Sequence, residues 1–160
     1  MTDSAAKAKK YAFRLLGYRS RSEKELEARL QQKGFSGDDV SFTLKQLKEA
    51  GYLDDYALAL DLKRQASDHK LLGYTRTKKL LLDRGVPDKI VNAALTYDEE
   101  AEAGKIRMLI EKKIRTIGNY PVDKRKKRLW DFLVRRGYGF RVIRDAFRDF
   151  PEIDFKEEEE

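Results

Sequence analysis

The stretch Leu-Gln-Gln-Lys-Gly-Phe at residues 30–35 recurs as Leu-Leu-Asp-Arg-Gly-Val at 81–86 and as Leu-Val-Arg-Arg-Gly-Tyr at 133–138. Each version places a leucine four positions before a glycine, a basic residue directly before it and a large apolar residue directly after it. The three glycines are 51 and 52 residues apart. A regular spacing of this size is typical of a chain built from copies of one small structural unit.

Apolar residues keep the same register around all three glycines. The matching positions are Val40, Val91 and Ile143, then Leu44, Leu95 and Phe147, and finally Tyr11, Leu62 and Ile114. Between these positions, apolar residues recur every three or four residues, which is the period of an amphipathic helix and not of a strand. The sequence therefore predicts an all-α protein in which these positions form the core.

Helix start and stop signals divide each copy into three helices. Ser22 and Glu25 form a capping box, and Gly34 suits the left-handed end of a helix. The other predicted caps are Ser36, Asp54, Thr75 and the pair Thr96 and Glu99, and Pro87 stands at a helix start. We predict three tandem three-helix, helix-turn-helix-like repeats at 5–51, 52–97 and 98–150. An acidic segment at 151–160, which we expect to be disordered, follows them.

Several classes of function lack their residues in this chain. There is no cysteine, and the single histidine, His69, lies in a polar stretch where we expect an exposed helix end. The adjacent Asp54 and Asp55 are better explained by helix capping than by metal or acid–base chemistry. No phosphate-binding glycine loop, signal peptide or membrane-spanning apolar run is found. We expect a cytoplasmic protein that is not an enzyme and needs no cofactor.

Positive charge is concentrated near one end of the sequence. The chain carries a net charge of +7, and residues 123–148 alone hold ten basic and three acidic side chains. This block contains the predicted binding residues, which are Lys124, Arg125, Lys126, Lys127, Arg128, Arg135, Arg136, Arg141, Arg144 and Arg148. Such a block favours a polyanionic partner, such as nucleic acid or an acidic protein surface. A merely solvated helix face is the alternative for residues 124–128.

The helix–glycine turn–helix shape of each copy also raises the hypothesis of a DNA-reading repressor or architectural protein. A recognition helix uses its first residues to touch bases. Asp38 and Asp39 in the first copy, and Asp88 in the second, would repel phosphates there. Only the third copy, with a basic stripe of Arg141, Arg144 and Arg148, suits this hypothesis. A scaffold for an unrelated acidic protein is a further alternative.

Several motifs in this order resemble the RecX family of recombination regulators. They are Gly-Tyr-Leu-Asp-Asp at 51–55, Leu-Gly-Tyr at 72–74, Arg-Gly-Val at 84–86 and Phe-Leu-Val-Arg-Arg-Gly-Tyr at 132–138. The resemblance covers roughly residues 8–150 and implies an elongated, curved array of three three-helix units. It also implies a regulator, mainly an inhibitor, that binds along the groove of the RecA–DNA filament during homologous recombination, DNA repair and the SOS response. The implied partners are the RecA filament and, weakly and without sequence preference, single- or double-stranded DNA. We expect a monomer.

Overall fold

The computed structural model describes residues 2–153, which contain nine α-helices and no β-strand. In chain order they are α1 Asp3–Tyr18, α2 Glu23–Lys33, α3 Gly37–Glu49, α4 Asp55–Lys63, α5 Tyr74–Asp83, α6 Asp88–Ala94, α7 Glu99–Ile117, α8 Val122–Arg135 and α9 Phe140–Phe147. A π-helical turn, Arg64–His69, continues α4. The all-α prediction is confirmed. The acidic residues 154–160 lie outside the described part.

The three repeat glycines end α2, α5 and α8 in the left-handed conformation. Their φ angles are +102° at Gly34, +80° at Gly85 and +93° at Gly137. Glycine is needed at such positions because a side chain in this conformation is disfavoured by about 1–2 kcal/mol. The regular spacing of the three glycines in the sequence therefore corresponds to the equivalent C-terminal ends of three helices.

The apolar positions that share a register are core residues. Val40, Val91 and Ile143 are each at most 2% exposed, and the three leucines that precede the glycines, Leu30, Leu81 and Leu133, are fully buried. Leu44, Leu95, Phe147 and Leu62 are buried as well, and Tyr11 and Ile114 pack against the cores as half-buried residues. The predicted core is confirmed.

The described helices form two compact units. The N-terminal unit contains residues 2–63 with Lys79–Leu95, and the C-terminal unit contains Arg64–Lys78 with residues 96–153. In the N-terminal unit α1, α2 and α3 pack together and α4 packs on α6, while in the C-terminal unit α7, α8 and α9 pack together. The proposed repeat boundaries at 51 and 97 stay a prediction.

Four of the predicted helix starts are confirmed. The amide of Glu25 donates to Ser22 Oγ at 3.1 Å while the amide of Ser22 donates to Glu25 Oε1 at 3.2 Å, which completes the capping box. Ser36 and Asp54 accept from backbone amides three residues on, at 3.2 Å and 3.0 Å. Pro87 stands at the N-cap of α6.

Two predicted caps are wrong. Helix α7 is capped by Asp98, whose Oδ1 accepts from the amide of Ala101 at 3.1 Å, and not by Thr96. Aspartate is at least as good an N-cap as threonine, so the helix begins after Asp98 and not after Thr96. Helix α5 already begins at Tyr74, which leaves Thr75 inside it. The Tyr74 amide donates to Glu102 Oε2 at 3.0 Å, so this helix start is satisfied from 28 residues away.

Candidate functional site

A groove of about 510 Å³ lies between α7 and α8 in the C-terminal unit. Its lining residues, which define the α7/α8 groove, are Lys113 and Ile117 from α7 and Lys124, Lys127, Arg128, Leu129, Asp131, Phe132 and Arg135 from α8. Cavities of this volume are in the range of ligand sites in proteins. Its apolar residues form a floor, and charged side chains surround it.

Helix α8 places its cations in the groove because of their spacing. Four charged residues of α8 lie on one face of the helix, because they follow Lys124 at intervals of four, seven and eleven residues and an α-helix has 3.6 residues per turn. They are Lys124, Arg128, Asp131 and Arg135. Leu129 and Leu133, which are at most 1% exposed, hold the neighbouring face against the core. The burial of these leucines therefore fixes which cations point into the groove.

The positive charge of the groove is compensated only in part by its own lining. Among the lining residues five are cations, and Asp131 is the one carboxylate. Lys124, Lys127 and Arg135 form no side-chain ion pair with any residue in 2–153. Like charges held this close raise the local positive potential, so the arrangement favours a bound polyanion.

The remaining two cations of the groove lie against aromatic rings. The guanidinium carbon of Arg128 is 4.0 Å from the centroid of the Tyr120 ring, and Lys113 Nζ is 4.8 Å from that of Phe132. These cation–π contacts orient the charged groups but do not neutralise them. They also occupy ring faces, so the groove is better suited to phosphates or carboxylates than to stacked nucleobases.

The predicted cations at α9, two within the helix and Arg148 at its C-cap, do not line the α7/α8 groove. Arg141, Arg144 and Arg148 are 72%, 64% and 69% exposed at their side chains, which agrees with a solvent-facing stripe. Each is near a carboxylate: Arg141 is 3.4 Å from Glu99, and the other two are 3.5 Å and 3.8 Å from Asp145. The α9 arginines are thus compensated to a greater extent than the groove cations.

Three predicted cations take other places. Arg125 donates to the backbone carbonyls of Gly118 and Tyr120 and so ties the connection between α7 and α8. Lys126 is half-buried and does not line the groove. Arg136 donates to the carbonyl of Lys70, and its own carbonyl accepts from the Gly73 amide at 2.7 Å. Arg125 and Arg136 therefore have structural partners.

Arg136 belongs to a set of contacts that holds residues 70–73 within the C-terminal unit. The Tyr138 hydroxyl donates to the Leu71 carbonyl at 2.6 Å, and Lys105 Nζ donates to the Leu72 carbonyl at 3.0 Å. Burial raises the pKa of Tyr138 well above its usual range, so the hydroxyl stays a donor. We call these contacts the carbonyl clamp, since three consecutive carbonyls accept from side chains. Leu71 is held at φ +54°, a conformation that persists only where its surroundings fix it.

A buried ion pair supports the carbonyl clamp. Glu102, which is 5% exposed, accepts from Lys105 at 2.8 Å and also from the Tyr74 amide. Because the carboxylate is hydrogen-bonded on both sides, its burial is compensated. The family-like motifs at 72–74 and 132–138 thus lie in mutual contact, and their residues serve the fold.

Sequence reasoning missed Lys113 and the carbonyl clamp. Lys113 comes from α7, ahead of the basic block, and the only local signal is its position beside the apolar residues Ile110, Ile114 and Ile117. The clamp joins residues 33 to 67 positions apart, which no local pattern reveals.

The remaining candidate residues are explained by the fold. His69 is exposed at the end of the π-helical turn, as predicted. Asp54 caps α4, and Asp55 Oδ1 accepts from the Glu23 amide at 2.9 Å. Over residues 2–153, no group of three or more His, Cys, Asp or Glu side chains is placed to hold a metal. Within the same range no helix combines the length and the apolar character needed to cross a membrane.

Comparison with known proteins agrees with this architecture. Residues 8–47 match the family model of the first three-helix domain of RecX, and residues 100–147 match that of the third. A regulatory protein RecX of Chlorobaculum tepidum is 34% identical over 86% of this chain and 84% of its own. One of Pelodictyon phaeoclathratiforme is 33% identical over 92% of each chain.

Solved structures share the fold. A crystal structure of RecX from Lactobacillus salivarius superposes with a TM-score of 0.80 at 21% identity and covers 93% of this chain and 97% of that one. A second, of a regulatory protein RecX, has a TM-score of 0.73 at 26% identity and covers 89% and 72%. The helical repeat, the two matched three-helix domains and the relatives matched over most of their length together show that this chain belongs to the RecX family of regulatory proteins.

Proposed function

We propose that this chain regulates the RecA recombinase, mainly as an inhibitor, by binding along the groove of the RecA–DNA filament in the cytoplasm. Membership of a family of regulatory proteins supports a regulatory role. The observation that carries the proposal is the α7/α8 groove, in which five cations face one carboxylate. A nucleoprotein filament offers anionic partners to such a surface, in the phosphates of its DNA and in acidic protein side chains.

The mechanism we propose is a brace. The chain spans neighbouring RecA protomers and blocks the rearrangement that ATP hydrolysis and strand exchange require. It binds as a monomer, without a cofactor, and performs no chemistry of its own. A binding protein can act in this way when it prefers one state of its partner, because it shifts the population toward that state.

The second candidate function is sequence-specific binding to DNA through a recognition helix. Only α9 has a first turn that suits this role. The first turns of α3 and α6 carry Asp38, Asp39 and Asp88, whereas the first turn of α9 has no acidic residue. Phe140 at its start is 66% exposed. This candidate requires salt-sensitive binding to naked duplex with a preference among sequences.

ATP turnover by RecA on single-stranded DNA tests the proposal. We expect turnover to fall as the chain is added, and we expect the triple variant Lys124→Glu, Lys127→Glu and Arg135→Glu to lose at least tenfold in potency. The control is Lys10→Glu, Lys45→Glu and Lys89→Glu, which changes three exposed lysines of the N-terminal unit by the same charge. Unchanged turnover at excess wild-type chain would refute the inhibitory role. Equal potency of the two triple variants would refute the groove.

A further inference from the structure

The α7/α8 groove and the acidic segment that follows the described part have equal and opposite charge. Five cations and Asp131 give the groove a net charge of +4. Residues 154–160 read Asp-Phe-Lys-Glu-Glu-Glu-Glu, with five acidic residues and one basic residue, a net charge of −4. The segment therefore has the charge that would neutralise the groove.

The acidic segment begins at a buried residue of the unit that contains the groove. Ile153, the last described residue, is 1% exposed and belongs to the same core cluster as Ile117 and Leu129. Both of these residues also line the groove. The chain thus enters the segment 154–160 from the cluster that supplies the apolar floor of the groove.

The segment is long enough to lie along the groove. Seven extended residues span up to about 24 Å. Eleven residues of helix separate Lys124 from Arg135 on α8, a distance of about 16 Å at a rise of 1.5 Å per residue. A short segment tethered to the unit that contains its site also has an effective concentration on the order of millimolar, so weak contacts suffice to hold it there.

We propose that residues 154–160 bind in the α7/α8 groove of their own chain and compete there with external polyanions. This inference rests on the proposed function, because it assigns a regulator to the same surface. The groove is a better site than the stripe on α9, since the three α9 arginines already have carboxylates within 3.8 Å. The segment acts as an internal competitor, and a ligand gains access only to the fraction of molecules in which the groove is open.

The isosteric variant Glu157→Gln, Glu158→Gln, Glu159→Gln and Glu160→Gln in the full chain tests this competition. Four exposed ion pairs are individually weak, but together they support an increase of about tenfold in affinity for a single-stranded oligothymidylate at low salt. The control Glu27→Gln, Glu49→Gln, Glu100→Gln and Glu111→Gln raises net charge by the same amount at exposed positions of the described helices. We expect the control to bind less than twofold more tightly than the wild type.

Zero-length carbodiimide coupling tests the contact itself, because it joins a lysine and a carboxylate only where they touch. We expect intramolecular links from Lys113, Lys124 or Lys127 to Glu157–Glu160, lost when the salt concentration is raised. Oligothymidylate affinity equal in the two Gln variants, or links that form only between two chains, would overturn the inference.

The outcomes also separate this inference from the proposed function. If the Lys124, Lys127 and Arg135 charge reversal abolishes oligothymidylate binding while the Glu157–Glu160 variant leaves it unchanged, the internal competitor is refuted and the groove stands. If neither variant changes the binding, the groove itself is refuted as a polyanion site, and the inference is overturned with it.

Discussion

The contact between Gly73 and Gly137 predicts that even one methyl group at position 73 disrupts the C-terminal unit. A Cβ atom on Gly73 would lie 2.5 Å from the carbonyl carbon of Gly137 and 2.9 Å from the amide nitrogen of Tyr138. Both are backbone atoms, which cannot rotate away as a side chain could. The two segments must therefore separate in Gly73→Ala.

The cost of this separation follows from the bonds that lie next to it. Overpacking in a closely packed site costs about 1–3 kcal/mol. Moving the segments apart also weakens the bond from the Gly73 amide to the Arg136 carbonyl and that from the Tyr138 hydroxyl to the Leu71 carbonyl. At about 0.5–1.5 kcal/mol for each hydrogen bond, we expect the free energy of unfolding to fall by about 2–6 kcal/mol in total.

Gly17→Ala is the matched control, because Gly17 lies in α1 and a Cβ there meets nothing within 4 Å. Replacing glycine by alanine inside a helix stabilises by about 0.5–1 kcal/mol, so the two substitutions should have opposite signs. Urea unfolding followed by the far-ultraviolet circular dichroism of the helices measures both, and the fluorescence of Trp130, the single tryptophan, reports on the C-terminal unit that contains Gly73. With m values of about 1–3 kcal/mol per molar, Gly73→Ala should lower the midpoint by about 1–3 M. A midpoint for Gly73→Ala equal to that of Gly17→Ala would refute the reasoning.

Two further substitutions test buried charge. Glu102→Gln leaves the half-buried Lys105 without a counter-charge, so we expect a loss of about 3 kcal/mol in urea unfolding at pH 7, whereas a loss below 1 kcal/mol would contradict the ion pair. Burial raises the pKa of Asp55, so its contribution to stability is full below the unfolded pKa and is lost as pH rises. Asp55→Asn, which can still accept from the Glu23 amide, should therefore be more stable than wild type at pH 7 and equal to it near pH 3 in thermal unfolding. A constant difference across this range would exclude the ionisation of Asp55 as its cause.

The repeat could be predicted from the sequence because its signals are local. A left-handed helix end needs glycine, a capping box needs its two residues three positions apart, and a core face needs apolar residues at helical spacing. Gly34, Gly85 and Gly137, the Ser22 box and the buried columns all depend on such short-range rules. The failed cap at Thr75 shows the limit of these rules, since the amide of Tyr74 is satisfied by Glu102 from α7.

The sequence could not predict which cations of residues 123–148 line the groove and which bind to backbone carbonyls. This difference depends on the residues that each cation contacts in other helices of the unit. Charge spacing alone does not distinguish Arg135, which lines the groove, from Arg136, which donates to the carbonyl of Lys70. Lys113 joins the groove only because α7 packs against α8. The sequence predicted a basic surface, and the packing determines which of its cations line the α7/α8 groove.

Electron cryomicroscopy of RecA–single-strand filaments saturated with this chain tests the central claim most directly. We predict continuous density along the filament groove, with the α7/α8 groove facing DNA phosphates or acidic side chains of RecA. Bare filaments at saturating concentration, or filaments decorated only through the N-terminal unit with the α7/α8 groove turned to solvent, would contradict it.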